Sequence, residues 1–298
     1  MALPAWADRL HDNYTYYPED FYGKVNDGEH DAGLKKLLYT ILSSAHRTVP
    51  GKHDELTPHC ISAGCYKHTS LGYNPARQIL FGELHLERRG AGSAVRDVYC
   101  QPLSIPSDYK NNPPGPGQIP DPAVLNTEHT WPQSRFSGRF DKNLQKSDLH
   151  GLYPALANAN TSRSNLEFNE VAATITSPCT LSKRGHSSNG SKKVFFEPPE
   201  VHKGNAARAI FYFAVRYQLT VAAEEEASLK AWHRTDPPDS FEIQRNETIF
   251  AKQKVRNPFI DRPKMRLYSF AGATYKLSGN QLITYQNRHA WGQLTEAA

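Results

Sequence analysis

A carboxylate and an imidazole stand side by side in LNTEHTWPQSRF, residues 125–136: Glu128 and His129. Alone the pair means little. It gains meaning from a second stretch, KSDLHGLYPALANANTSRSNLEF, which starts at Lys146. Hydrolysis of a phosphodiester needs an activated water, a neutralised phosphate and a stabilised leaving oxygen. Histidine titrates near working pH and suits the first task. A hard divalent cation on oxygen ligands suits the other two. Glu128 offers a carboxylate and Asn160 an amide oxygen, both hard donors. Each also has a plainer reading. His129 can be a surface histidine, Glu128 an exposed carboxylate, and Asn160 a helix N-cap.

These groups need elements to hold them. A strand over 125–130, a second over 148–156 and a helix from near Ala157 would bring them together. Neighbouring side chains on a regular strand face opposite ways. Glu128 and His129 are therefore expected where the strand has already broken into a loop, with Pro132 ending the pairing. Asp148 and His150 are expected to brace this unit by hydrogen bonds. Arg163 can bind phosphate or pair with a carboxylate. Trp131 reads as core.

The segments TEHTWP, SDLHGLYPA and ANANTSRSNLEF, in this order and spacing, resemble the signature of the bacterial endonuclease I family. HKGNAARAIFYFAVRY and VRNPFID resemble later family segments, and the likeness extends over about residues 70–260. The resemblance implies a mixed α+β fold, with a central ββα-metal (His-Me) finger, several helices and a small antiparallel sheet. One nuclease domain is expected over 1–298, with a helical extension before residue 70 and a second extension at 263–298. It implies a non-specific endonuclease that cuts DNA, and RNA as well, leaves 5′-phosphates and works as a monomer. His129 matches the general base, and Glu128 and Asn160 match the ligands of one Mg²⁺, whose site Mn²⁺ or Ca²⁺ can also take. Arg139 is carried over as the arginine that steadies the cleaved phosphate, with Arg135 as its alternative. The segment between the two motifs, residues 133–146, is short. Gly151 departs from the family's usual asparagine and is taken as structural. A finger that binds nucleic acid without cutting it would share this fold.

Around the motifs, DAGLKKLLYTILSSAH has helical spacing, with Asp31 as N-cap. Segments 77–87 and 94–100 read as strands joined by a glycine turn. Residues 101–123 hold seven prolines and two glycines and read as a long irregular loop. A largely apolar helix over 205–219 reads as central, followed by helices in AEEEASLKAWHR and SFEIQRNETIFAKQKV. Asp239 or Ser240 caps the last, Asn257-Pro258 ends it, and 263–298 reads as short strands or an extended arm.

The net charge of +5 suits a polyanionic partner without specifying one. Lys183, Arg184, Lys192 and Lys193 flank GHSSNGS, and they read either as a phosphate-gripping loop or as solvated turns. With Arg135 and Arg163 they complete the expected nucleic-acid contacts. The four cysteines, Cys60, Cys65, Cys100 and Cys179, suit two disulfides of undetermined pairing. The rival is zinc held around His59, Cys60, Cys65 and His68, or a zinc hydrolase built on His129 and His150. No run approaches the ~18–20 apolar residues of a membrane span. The start lacks an apolar leader, which is read as already removed, and the resemblance implies a secreted or periplasmic location.

Overall fold

The computed structural model describes residues 14–265, apart from 62 and 91, and the backbone of the paired strands Lys276–Leu277 and Ile283–Thr284. Most of the expected C-terminal arm lies outside the described residues. Helices α1 (Glu19–Asn26) and α2 (Asp31–Ser43) open the chain. Leu34, Leu38, Ile41 and Leu42 fall on one side of α2 and are buried. Asp31 is the first helical residue, and His30 holds the cap position expected for it. Strands β1 (Ala45–Arg47), β2 (Glu55–Thr57) and β3 (Cys65–Tyr66) form a small sheet in the order β2-β1-β3. The disulfides join Cys60 to Cys65 and Cys100 to Cys179. All four sulfurs are consumed, so the zinc reading of the His59–His68 segment fails.

The strand expected from residue 77 is a helix, α3 (Tyr73–Ile79), running into a π-helical turn over Leu80–Leu84. Its buried residues, Ala76, Leu80, Phe81 and Leu84, keep helical spacing, and burial of that face outweighs local strand preference. The hairpin is shorter than expected: β4 (Leu86–Arg89), β5 (Gly92–Arg96) and then β6 (Leu103–Ser104). The proline-rich stretch is otherwise irregular apart from a turn at Pro106–Asp108.

Next comes a ribbon of β7 (Leu125–His129) and β8 (Leu152–Leu156), joined by a crossover holding α4 (Lys142–Lys146) and followed at once by α5 (Ala157–Arg163). This is the expected ββα order. Asn160 lies inside α5, which removes its N-cap reading. Strands β9 (Glu167–Phe168), β10 (Ala173–Cys179), β11 (Ser182–His186) and β12 (Phe195–Glu197) form a sheet in the order β10-β11-β12-β9. Helix α6 (Glu200–Arg216) follows Pro198-Pro199, and fourteen of its seventeen residues are buried. It is the central helix expected, begun five residues sooner. Helices α7 (Ala223–Thr235), α8 (Ser240–Gln253) and α9 (Pro258–Asp261) complete the fold, which is α+β. Asp239 caps α8 as expected, its side chain accepting from the Glu242 amide at 2.8 Å. Asn257-Pro258 starts α9 instead of ending α8, because Lys254, left-handed at φ 59°, has already stopped it. Leu34, Leu38 and Ile41 share one core with Ile210, Phe213 and Phe259. No described helix is long and apolar enough to cross a membrane.

Candidate active site

The ladder of the ribbon decides where its side chains can go. The Thr130 amide donates to the Gly151 carbonyl at 2.9 Å, extending the pairing of β7 and β8 by one residue. Antiparallel pairs alternate between bonded and non-bonded. Glu128↔Tyr153 is therefore a bonded pair, and Thr127↔Pro154 and His129↔Leu152 are not. Pro154, which has no N–H, falls where none is needed. The carbonyls of Thr127 and His129 point away from β8, and α5 lies along that edge to receive them. The Asn160 amide nitrogen donates to Thr127 O at 3.4 Å. Arg163 donates to His129 O at 3.2 Å and also to Thr130 O.

The strand is thus regular through His129. Glu128 and His129 lie on opposite faces, not together in a loop as expected, and the break comes only beyond Thr130. On one face, the buried Glu128 carboxylate accepts from the Tyr99 hydroxyl at 3.0 Å and meets Arg163 Nη1 at 3.3 Å. Both contacts fall on Oε1. Burial pushes the Glu128 carboxyl up from its ordinary range, while Arg163 and the Tyr99 hydrogen bond pull against that. On the other face, His129 Nε2 lies 3.1 Å from the Lys146 carbonyl. A carbonyl only accepts, so Nε2 carries the proton and Nδ1 keeps its lone pair. The Gln133 amide nitrogen lies 3.4 Å from Nδ1. Burial, followed by the charges of Lys146, Arg163 and Arg77, lowers the imidazole to about 4. His129 is therefore a neutral base at neutral pH.

The Endonuclease I family model matches residues 61–264. The chain belongs to the endonuclease I family. An extracellular ribonuclease of Bacillus subtilis is 31% identical over 283 residues, covering 89% of this chain and 81% of that protein. An extracellular deoxyribonuclease of Aeromonas hydrophila is 30% identical over 126 residues, 42% of this chain and 54% of that one. Endonuclease-1 of Buchnera aphidicola subsp. Acyrthosiphon pisum is 28% identical over 115 residues, 39% of this chain and 44% of the relative. The chain thus spans about half the length of the last two relatives.

As a member of the endonuclease I family, the chain is an endonuclease-type enzyme, and its motif residues sit as follows. Asp148 and His150 brace the finger, as expected. Asp148 Oδ2 accepts from Tyr212 at 3.0 Å and Tyr217 at 2.7 Å. His150 Nε2 meets the Val255 carbonyl at 3.2 Å. At Gly151, where the family often has asparagine, a Cβ would come within 3.2 Å of the Phe213 ring. Phe213 fills the space beside Gly151, so a larger residue there would require its ring to shift. Trp131 is core, stacked on Phe213 at 5.9 Å.

The basic residues divide. Arg163 is 1% exposed and directed at Glu128 and two backbone carbonyls, so the structure places it with the carboxylate and away from any surface that could meet nucleic acid. Arg135 packs over Trp131 at 4.8 Å and faces Glu225 at 3.5 Å. Arg139 is exposed, and it donates to the Gln218 carbonyl at 2.6 Å. Lys183 and Arg184 lie on β11 and not in a loop; only Lys192 and Lys193 follow the serine-rich turn. Lys183 pairs with Glu197 and Lys193 with Glu167.

Sequence reasoning missed Tyr99 and the Lys146 carbonyl. A backbone carbonyl leaves no mark in a sequence. Tyr99 had one available signal, its position beside Cys100. Among the described residues no three His, Cys, Asp or Glu gather as a metal cage.

Proposed function

We propose that the chain hydrolyses phosphodiester bonds of DNA and RNA without sequence preference, with His129 as general base and a divalent cation held by Glu128 and Asn160. One observation carries the reading: the backbone fixes His129 in its base tautomer while the preceding residue, Glu128, is clamped beside α5. The donor set fits a hard, hydrated cation such as Mg²⁺. It offers one carboxylate and one amide, where zinc would call for His and Cys ligands. Glu128 Oε1 is occupied by Tyr99 and Arg163, so Oε2 is the oxygen left for the cation. Asn160 donates through its nitrogen, which leaves its amide oxygen for the same purpose. When bound, such a cation neutralises charge on the phosphate and the leaving oxygen.

The rest is the work of the chain. His129 Nδ1 takes a proton from water as its oxygen bonds to phosphorus. The P–O3′ bond breaks, and a solvent proton completes the 3′-hydroxyl, leaving a 5′-phosphate. The Lys146 carbonyl stabilises the imidazolium that forms. The two disulfides and the extracellular names of two relatives support a secreted or periplasmic site of action. The test is incubation with supercoiled plasmid and with single-stranded RNA, in Mg²⁺ and then in excess chelator. Cleavage that chelator stops supports the reading. Intact substrates in Mg²⁺ would reject it.

A further inference from the structure

Two cations stand on the His129 face of the ribbon without an acidic partner among the described residues: Arg77 on α3 and Lys146 at the end of α4. Arg77 Nε donates to the Thr127 hydroxyl at 3.3 Å. Thr127 and His129 alternate onto the same face. The carbonyl of that same Thr127 takes the Asn160 amide at 3.4 Å. Arg77 is therefore tied to the residue that links the base's face to the proposed cation ligand.

Tyr73 completes the cluster. It lies four residues before Arg77, so the two share one side of α3. Its ring centroid is 5.4 Å from the Arg77 guanidinium, 4.1 Å from the Lys146 ammonium and 5.7 Å from the His129 ring. The arginines of the finger and its crossover are directed elsewhere. Arg163 goes to Glu128, Arg135 to Glu225 and Arg139 to Gln218. Among the described residues Arg77 hydrogen-bonds through Nε alone, which leaves both terminal nitrogens of its fork for an anion. A planar fork matches two phosphate oxygens at once.

We propose that Arg77, from outside the finger, contacts the phosphate being cleaved, with Tyr73 and Thr127 holding it in place and Lys146, over the same Tyr73 ring, adding a second positive charge. Arg77 forms no covalent bond and moves no proton. It stabilises the charge that grows on the non-bridging oxygens as water attacks. The proposal rests on the nuclease reading above.

The experiment compares wild type, Arg77→Ala, Arg77→Lys, Arg135→Ala and Arg139→Ala in single-turnover plasmid cleavage at saturating Mg²⁺. Arg77→Ala is expected to lose about 100-fold in rate, the scale of one lost oxyanion donor, with its Mg²⁺ midpoint and melting temperature unchanged. Added guanidinium ion should restore part of that rate, which a merely structural residue would not allow. Arg77→Lys keeps charge and packing, and is expected to fall between Arg77→Ala and wild type. Near-normal rates in both Arg77 variants overturn the proposal. So does a loss in Arg77→Ala that guanidinium does not relieve. A large loss in Arg139→Ala with none in Arg77→Ala returns the role to the crossover. If the wild type itself leaves plasmid intact, the nuclease reading has failed and this proposal with it.

Discussion

His129 Nε2 lies 3.1 Å from the backbone carbonyl of Lys146, a contact that ties the ribbon to its own crossover. The acceptor is backbone, so a substitution at position 146 leaves it in place. The imidazole is held as the Nε2–H tautomer, and Nδ1, beside the Gln133 amide, keeps the lone pair proposed to act as the base. His129→Ala is expected to lower cleavage by about 10²–10⁴-fold while DNA and Mg²⁺ still bind, because a general base does not hold the cation. Single-turnover rates beside binding titrations check this. Cleavage at nearly the wild-type rate would remove His129 from the role.

Glu128 and Asn160 are proposed to share one cation unequally. Glu128 brings a charge to a dication and Asn160 brings only a dipole. Both Ala variants are expected to need more Mg²⁺ for half-maximal cleavage, Glu128→Ala the more strongly. Unchanged Mg²⁺ titrations in both would reject the ligand assignment.

Tyr99 donates to Glu128 at 3.0 Å inside the core. A hydrogen bond to a charged group contributes about 1.5–3 kcal/mol. Tyr99→Phe keeps the ring and removes only the donor. Its Mg²⁺ midpoint should move to higher concentration, and saturating Mg²⁺ should recover most of the rate. A midpoint equal to wild type would show that Tyr99 serves packing alone.

The basic segment over 183–193 is half neutralised internally, by Glu197 and Glu167. Arg184 and Lys192 are what remains for nucleic acid. Each phosphate neutralised on duplex DNA contributes about −0.9 to the slope of log K against log salt. The double variant Arg184→Gln/Lys192→Gln is thus expected to flatten that slope by about 2, equally for unrelated sequences. An unchanged slope would mean that the segment never meets the substrate.

His202 is buried on α6, packed against Tyr153 at 4.8 Å. Burial, followed by the charges of Arg245 and Arg208, lowers its imidazole from 6.5 to about 3. The unfolded chain takes up a proton below pH 6.5 that the folded chain refuses. The contribution to stability is therefore fully present above pH 6.5 and lost as pH falls toward about 3. At pH 5 the loss is on the order of 2 kcal/mol. Buried Glu225 and Glu242, raised by burial, act in the opposite sense, so a single variant is needed to isolate this share. His202→Phe is expected to lose less stability than wild type between pH 7 and pH 5 in urea titrations. Parallel losses in both proteins would refute the assignment.

Much of this was legible in the chain. The helix and strands around 125–163, the two disulfides and the apolar α6 follow from short-range spacing, and the family and the α+β class follow from the resemblance of the motifs. They are set by periodicity, by cysteine pairing and by motifs contiguous in sequence. Spacing was weaker where two periods compete. Residues 77–84 carry strand-forming side chains, yet their buried set has helical spacing, and the core to which that face turns chose the helix. The placement of individual groups needed the folded chain. Whether Arg163 meets phosphate or carboxylate depends on where Glu128 points, and that depends on how far the ladder with β8 persists. Tyr99 and Arg77 reach the ribbon from 29 and 50 residues away along the chain, and Lys146 reaches it through a carbonyl. Tertiary packing alone brings such groups together, because hydrogen bonds and charges act over a few ångströms of space whatever the distance along the sequence.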